Sequence, residues 1–296
     1  MKVVITNLAG GLGNQMFQYA AGRALSLKFG YDLFICTETI NAQKQHNGYE
    51  LSTVFGLTPK IASNELIGQQ LGTIFSSRRF RELYNRSNLA KIVGHRFITE
   101  SSFENCNYNI KDLNGFYYMH GYWQSEDFFS EFKSTVASDF TFINPLSAEN
   151  ETHSSRIESC TSVSIHVRRG DYIKSKKALH LHGICPIEYY ISAIAYIESQ
   201  QPNSEYFVFT DDPVWVVENM DNLGIKLNII HNEGNKSFVD MQLMSLCKHN
   251  IIANSSFSWW AAWLNHDPEK IVVAPKNWFA SKTTPKNLIP KTWKVL

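Results

Sequence analysis

Residues 2–36, KVVITNLAGGLGNQMFQYAAGRALSLKFGYDLFIC, decide the fold class, because they read in turn as strand, glycine turn, helix and strand. Residues 2–6 (KVVIT) are rich in β-branched side chains, and residues 9–15 (AGGLGNQ) are punctuated by Gly10, Gly11 and Gly13. Residues 16–30 carry apolar side chains at helical spacing with Gly30 as a stop, and residues 31–36 (YDLFIC) form a second strand. Such a unit predicts two parallel strands joined by a right-handed crossover. The rhythm restarts at residue 161: strands are expected in TSVSIHV, EYFVFT, KLNIIH, NIIAN and KIVVAP, alternating with helices in PIEYYISAIAYIES, DPVWVVENM, SFVDMQLMSLCKH and FSWWAAWLN. Between the two runs, residues 143–159 (INPLSAENETHSSRIES) are polar and poor in β-branched residues. The expectation is an α/β protein of two Rossmann-like domains, 1–150 and 151–296, whose parallel sheets face each other across a cleft.

Composition narrows the function classes. The chain has 296 residues, 44% apolar and 19% charged, with a formal net charge of +1. That is ample material for large cores and gives no global basic balance of the kind nucleic acid demands. One basic run stands out, Arg78, Arg79, Arg81, Arg86, Lys91 and Arg96 against Glu82. It reads first as a solvated helix face and second as a peripheral contact with anionic lipid or a phosphorylated acceptor. The five cysteines, Cys36, Cys106, Cys160, Cys185 and Cys247, are odd in number and widely spaced, which implies neither a zinc site nor a disulfide framework and favours a reducing compartment. No signal-peptide pattern occurs, and the uncharged stretch 3–22 is too rich in Gly, Asn and Gln to span a membrane, so a cytoplasmic protein is expected.

In open parallel sheets, ligands sit beyond the carboxyl ends of the strands. Four motifs fall at such ends: AGGLGNQ, HVRRGDY (166–172), FTDDP (209–213) and IANSSFS (252–258). The glycine turn lets backbone approach a ligand ahead of a helix N-terminus, with Asn14 and Gln15 offering donors and acceptors. It lacks the third glycine of a dinucleotide fingerprint, because Met16 stands there, and the Gly-Lys-Ser/Thr of a P-loop. In HVRRGDY, strand alternation puts Val163, Ile165 and Val167 on one face and Ser164, His166 and Arg168 on the other. Arg168 and Arg169 then point apart, one free to grip a diphosphate with its guanidinium fork and the other to brace the structure. Asp171 either orients an arginine or acts as a base. Asp211 is placed to position a strand-end group, and Asp212 before Pro213 reads as a helix cap. Ser255 and Ser256 before a Trp-rich helix suit a phosphate nest, and Asp240 carries a carboxylate able to pair with guanine.

GGLGNQMFQYA, HVRRGDY, VFTDD and NSSFSWWAAWL, in this order, resemble the motif set of the bacterial α-1,2-fucosyltransferases, glycosyltransferase family 11. The resemblance implies a GT-B-like pair of Rossmann-type domains, with the acceptor mainly on the first and GDP-fucose mainly on the second. It implies transfer of L-fucose to the 2-hydroxyl of a galactose, with inversion and without a metal or other cofactor. Carried onto this chain, Arg168 holds the diphosphate, while Ser255, Ser256 and Phe257 line the phosphate and fucose region. Asp240 reads the guanine, His166 and Asp211 complete the donor side, and Gly11, Asn14 and Gln15 approach from across the cleft. Trp123, Gln124 and Glu126 of GYWQSED (121–127) stand on the acceptor side. The implied partners are GDP-fucose and a galactose-terminated oligosaccharide or lipid-linked glycan, with no nucleic acid. Arg168 and Asp171 are the catalytic pair, with Glu126 and His120 as further candidates for a base.

Two rival classes fit parts of the pattern. A dinucleotide-dependent oxidoreductase would use the glycine turn with Glu38 near the end of the second strand. A non-catalytic glycan-binding protein would use the aromatic GYW and SFSWW surfaces, but leaves HVRRGDY without a role.

Overall fold

Strand β1 (Val3–Asn7) is buried along its whole length and lies at the centre of a five-stranded sheet. The computed structural model describes residues 1–43, 47–87, 96–100, 115–170, 173, 175–281, 283–285 and 287–296. The turn after β1 leads into α1 (Leu12–Phe29), which starts four residues before the first apolar-periodic position. Gly11 is its extended N-cap, and its carbonyl already accepts the N–H groups of Asn14 and Gln15 at 3.0 and 3.1 Å. Gly30 ends the helix in the left-handed conformation, with φ of 65°, as the sequence implied.

The remainder of this first unit is β2 (Asp32–Cys36), α2 (Glu38–Gln43), α3 (Leu51–Phe55), β3 (Lys60–Ile61), α4 (Asn64–Leu71), α5 (Arg78–Arg86), β4 (Phe97–Thr99), β5 (Phe116–His120) and α6 (Lys133–Asp139). The strands run in the order β3-β2-β1-β5-β4, all parallel. Alternation along β1 feeds two apolar layers. Val3 and Ile5 pack with Tyr84 and Phe97 on one face, and Val4 packs with Ala21 and Leu25 of α1 on the other.

The second unit comprises α7 (Ala148–Glu158), β6 (Ser162–Val167), α8 (Lys176–His182), α9 (Ile187–Gln200), β7 (Glu205–Thr210), α10 (Pro213–Met220), β8 (Leu227–Ile230), α11 (Phe238–Leu246), β9 (His249–Ile251), α12 (Ser256–Leu264), β10 (Val272–Ala274) and β11 (Lys294–Val295). Its sheet runs β11-β10-β9-β6-β7-β8, again all parallel. The units meet in sequence between Ile143 and Asn144. Much of the polar segment expected as linker is therefore α7, which Ser147 caps by accepting the Asn150 N–H.

Strand order reverses once in each sheet, between β1 and β5 in the first and between β6 and β9 in the second. At such a switch point the following connections leave on opposite faces and open a crevice beyond the strand ends. All four sequence motifs leave strand ends at or beside these two switch points.

Candidate active site

In the second unit, Arg168 and Arg169 leave β6 into a turn that Asp211, just past β7, holds shut. Asp211 Oδ1 accepts the backbone N–H groups of Arg169 at 2.8 Å and Gly170 at 3.0 Å, and Oδ2 lies 3.1 Å from Nη1 of Arg168. Burial pushes the Asp211 carboxyl up, but Arg168, the two amides and nearby His166 outweigh it and hold it below the usual carboxylate range. Gly170 is required here because a Cβ would stand 2.8 Å from the Asp211 carbonyl oxygen. The clamp holds Arg168 at the strand end.

Arg169 turns elsewhere. Its Nε lies 3.6 Å from Asp212 Oδ2, and its guanidinium sits 4.2 Å over the Trp215 ring. Asp212 also caps α10, accepting the Trp215 N–H at 3.2 Å. Adjacent residues thus divide the work: Arg168 with Asp211 faces the strand end, and Arg169 with Asp212 fastens α10.

His166 is buried, since β6 is covered on both faces, and its ring lies 5.8 Å from that of Phe257. Burial, then the Arg168 charge, depress the imidazole to about 3 against the smaller opposing effect of Asp211, so it is neutral at working pH. Across the switch point, Ser255 caps α12 by accepting the Phe257 N–H at 3.3 Å. Ser256 and Phe257 are the half-buried residues of that first turn, whereas Trp259 and Trp260 are fully buried. Trp259 donates its Nε1–H to Leu288 O at 2.9 Å. The Trp-rich helix is therefore core, and only its N-terminus belongs to the site. Arg168 and this N-terminus give the second crevice a cationic, dipolar character suited to an anion.

Asp240 departs from its expected setting. It is buried in the first turn of α11, and Asn232 donates to both its oxygens, Nδ2–H to Oδ1 at 2.7 Å and N–H to Oδ2 at 3.4 Å. Asn232 in turn exchanges amide hydrogen bonds with Asn150 of α7 at 3.0 and 3.3 Å. Burial raises the Asp240 carboxyl to about 7 despite these donors. Asp171 lies outside the described residues, as do Lys91 and Cys106. Among the described residues, no group of three His, Cys, Asp or Glu side chains is placed to hold a metal ion.

In the first unit the glycine turn brings Asn14 to the residues that follow β5: Asn14 Oδ1 accepts from Gln124 Nε2 at 2.8 Å. Gly10 has φ of 80°, and a Cβ there would stand 2.6 Å from Asn14 Nδ2. Gln15 does not face a ligand. It is 0% exposed, donates to Gly10 O and Gly48 O, and accepts the Glu50 N–H. Gln18, which sequence reasoning passed over, is a second strut. It accepts the Ala9 N–H at 2.8 Å and donates to Gly121 O at 3.1 Å, stapling the turn after β1 to the turn after β5. An i, i+3 pair of glutamines among the mostly apolar residues 15–22 was the available signal.

Trp123 is likewise not a sugar platform. It is 0% exposed, with φ of 58°, and it packs with Val4, Ala21 and Phe128 while its N–H bonds Glu100. The exposed aromatic is its neighbour Tyr122, at 47%. Glu126 lies 3.8 Å from Lys133. The basic run is divided, with Arg79 and Arg86 exposed and other members paired within the protein. Arg81 is 1% exposed and bonds Glu38, Asn64 and the Phe75 and Ser76 carbonyls beneath the Tyr118 ring. Arg78 pairs with Glu82, and Arg96 donates to Gln70 O. Glu38, which the oxidoreductase reading invoked near the end of the second strand, is the ion-pair partner of Arg81. No helix among the described residues is long and apolar enough to cross a membrane.

Comparison with known proteins converges on the same architecture. The chain is similar to fucosyltransferase NodZ from Bradyrhizobium, with a TM-score of 0.51 at 13% identity over 88% of this chain and 91% of that one, a likeness of fold. It is 36% identical to an α-1,2-colitosyltransferase of Escherichia coli over 94% of this chain and 93% of the relative. It is 32% identical to the O-antigen biosynthesis glycosyltransferase WbnK of Escherichia coli over 94% of this chain and 96% of the relative. The profile of glycosyl transferase family 11 matches residues 84–295. Two Rossmann-type units of parallel sheet, with an arginine and a helix N-terminus at the second switch point, define a glycosyltransferase of the GT-B type. The chain belongs to glycosyltransferase family 11.

Proposed function

We propose that this enzyme moves L-fucose from GDP-fucose to the 2-hydroxyl of a terminal galactose, with inversion and without a metal. The observation that carries the reading is the Arg168–Asp211 clamp set beside the α12 N-terminus at the switch point of the second unit. In the transfer, the bond from the sugar C1 to the diphosphate oxygen breaks and its electron pair leaves on the nucleotide. The acceptor oxygen bonds C1, and its proton passes to a base, for which Asp171 is the proposed residue. Arg168 and the α12 amides meet the charge that grows on the diphosphate, and such preorganised groups are worth about 3 kcal/mol each in the transition state. Asp240, fastened by Asn232, is the proposed reader of the guanine. An O-antigen repeat, free or lipid-linked, is the acceptor class favoured by the likeness to WbnK. Peripheral contact with an anionic membrane through exposed Arg79 and Arg86 would accompany a lipid-linked one.

A second donor has a specific observation behind it, the 36% identity to a colitosyltransferase. Colitose is L-fucose without its 3-hydroxyl, so the same phosphate and base contacts serve both sugars. A thermal-shift panel of GDP, UDP, CDP and NAD, with and without chelator, on wild type and Arg168→Ala tests the donor class. A shift with GDP alone, indifferent to chelator and weakened in the variant, supports it, and a shift with NAD or UDP instead refutes it. Transfer to lactose from GDP-fucose against GDP-colitose then separates the two donors.

A further inference from the structure

We propose, on the reading that the crevice of the second unit takes the diphosphate of the donor, that Asn254 is a positioning residue for that site. Its carboxamide anchors the turn that presents the α12 N-terminus and ties this turn to α8, the helix that follows Arg168 in the chain.

Asn254 lies between β9 and α12. The Ser255 N–H returns to Ala253 O at 2.8 Å, so Asn254 is the apex of a three-residue turn, and Ser255 is then the cap of α12. The Asn254 side chain is buried and engaged on both sides. Its Nδ2 donates to His182 O at 2.9 Å and to Trp278 O at 3.3 Å, and its Oδ1 accepts from the Cys185 thiol at 3.6 Å. Two carbonyls facing the nitrogen and a thiol facing the oxygen leave the amide one orientation. Both Nδ2 hydrogens are spent inside the protein, so Asn254 acts on a ligand through the backbone it holds rather than by contact.

That backbone joins the two halves of the site. His182 ends α8, and the chain reaches α8 from Arg169 through a turn in which the Ile173 N–H bonds Arg169 O at 2.9 Å. With seven residues, α8 is too short to be stable by itself, and Lys176, Lys177, Leu179, His180 and Leu181 are exposed. Its last carbonyls are met from outside. Asn254 bonds His182 O, and the Ala280 N–H bonds Leu181 O at 3.0 Å, while the His182 ring lies 5.7 Å from that of Phe279. Residues 278–280 are themselves held to Asn254 through Trp278 O. One side chain thus closes a circuit from Arg168, along α8, to the cap of α12. Asp211 holds Arg168 from the β7 side, and Asn254 holds the opposite half of the site from the β9 side. A grip on two linked phosphates depends on the separation of the Arg168 guanidinium from the α12 amides, and both anchors set it.

The test compares Asn254→Ala with Asn265→Ala in the full chain. Asn265 is a matched control at the other end of α12: it is also buried, and its Nδ2 likewise donates to two carbonyls, Cys247 O at 2.7 Å and Lys248 O at 3.3 Å. Both variants should lower the melting temperature. Isothermal titration with GDP, run well below every melting temperature, should show affinity reduced about tenfold in Asn254→Ala and within about twofold of wild type in Asn265→Ala. Asn254→Asp keeps the shape but turns an acceptor toward the two carbonyls, and should weaken GDP at least as much as the alanine. Hydrogen exchange on wild type needs no variant to fold. Coupling is reciprocal, so GDP should slow exchange across residues 176–183 and 278–281. Absence of that protection overturns the inference, as does GDP affinity in both Asn254 variants within about twofold of wild type, or an equal loss in Asn265→Ala. If wild type binds UDP or CDP in place of GDP, the donor reading fails and the same comparison is read with the nucleotide that binds. If it binds no nucleoside diphosphate, both readings fall.

Discussion

Replacing Asp211 by alanine removes three interactions at once: the acceptor for two backbone N–H groups and the ion-pair partner of Arg168. A hydrogen bond to a charged group contributes about 1.5–3 kcal/mol, so the two amides alone represent about 3 kcal/mol at the lower end. The side chains of Arg168 and Asp211 are 26% and 21% exposed, so the ion pair is partly screened and adds at most about 1 kcal/mol. Water reaches a turn this near the surface and recovers part of the loss, which leaves a net destabilisation of about 3 kcal/mol. For a unit of this size that lowers the melting temperature by about 6–12 °C. With the Asp211 contact gone, Arg168 is held less firmly, and GDP affinity should fall by about tenfold or more. Asp212→Ala is the internal control. It loses the α10 cap and the weaker pairing with Arg169, costing about 1 kcal/mol, and should leave GDP affinity alone. Differential scanning fluorimetry and isothermal titration with GDP read both effects. If Asp211→Ala melts within about 2 °C of wild type, or if the two variants weaken GDP equally, Asp211 neither holds the turn shut nor positions Arg168.

Other expectations follow the same logic. Gly170→Ala forces a Cβ against the Asp211 carbonyl and should destabilise by about 1–3 kcal/mol while weakening GDP, read by the same two assays. Gln18→Leu leaves the Ala9 N–H and Gly121 carbonyl unpaired and should cost about 2–3 kcal/mol in a denaturant melt. Glu38→Gln should cost more than the double variant Arg81→Met/Glu38→Gln, because the single change removes the carboxylate from a buried guanidinium, as a double-mutant cycle would register. The pH dependence of stability has opposing contributions. His166, depressed to about 3 from an unfolded value near 6.5, makes stability rise with pH across that window, because the unfolded chain binds the extra proton. Asp240, raised to about 7 from near 3.9, makes stability fall as pH rises through its own window. Asp211, held low by Arg168 and the two amides, contributes stability that is present above about pH 4 and lost as acid protonates it. Asp240→Asn should therefore steepen the gain in stability between about pH 4 and pH 7, measured as melting temperature against pH.

The fold was written plainly in the chain. The β-branched runs and helical spacing of residues 2–36 and 161–275 lie within a few residues of the observed elements, because buried parallel strands leave unbroken apolar stretches. The pairing of strands was not legible, and with it went the switch points that explain why the four motifs cluster. Chemical types at the second site were also legible: Arg168 with Asp211 at the strand ends and Ser255 as a cap need only local geometry. What failed was the direction of polar residues on helices and turns. Gln15 reads as a ligand contact and Arg81 as part of a solvated face in a linear reading, yet each has partners far away in sequence, Gln15 at Gly48 and Glu50, and Arg81 at Glu38. Trp123 was misplaced because its positive φ re-aims the side chain into the core and hands the surface to Tyr122. Asp240 was expected open because its tether to Asn232 and Asn150 crosses three separate elements.

The glutamine struts of α1 have a calorimetric consequence. Because Gln15 and Gln18 secure residues 9, 10, 48, 50 and 121 by hydrogen bonds within the protein, those loops are ordered before any ligand arrives. A ligand docking against prepared loops forfeits little backbone entropy, so binding there should carry a small entropic penalty. Cutting the Gln18 strut should transfer that ordering cost to the binding step. Such a ligand would then bind with a larger favourable enthalpy, a larger entropic loss and a lower net affinity, in a protein whose contacts to it are unaltered.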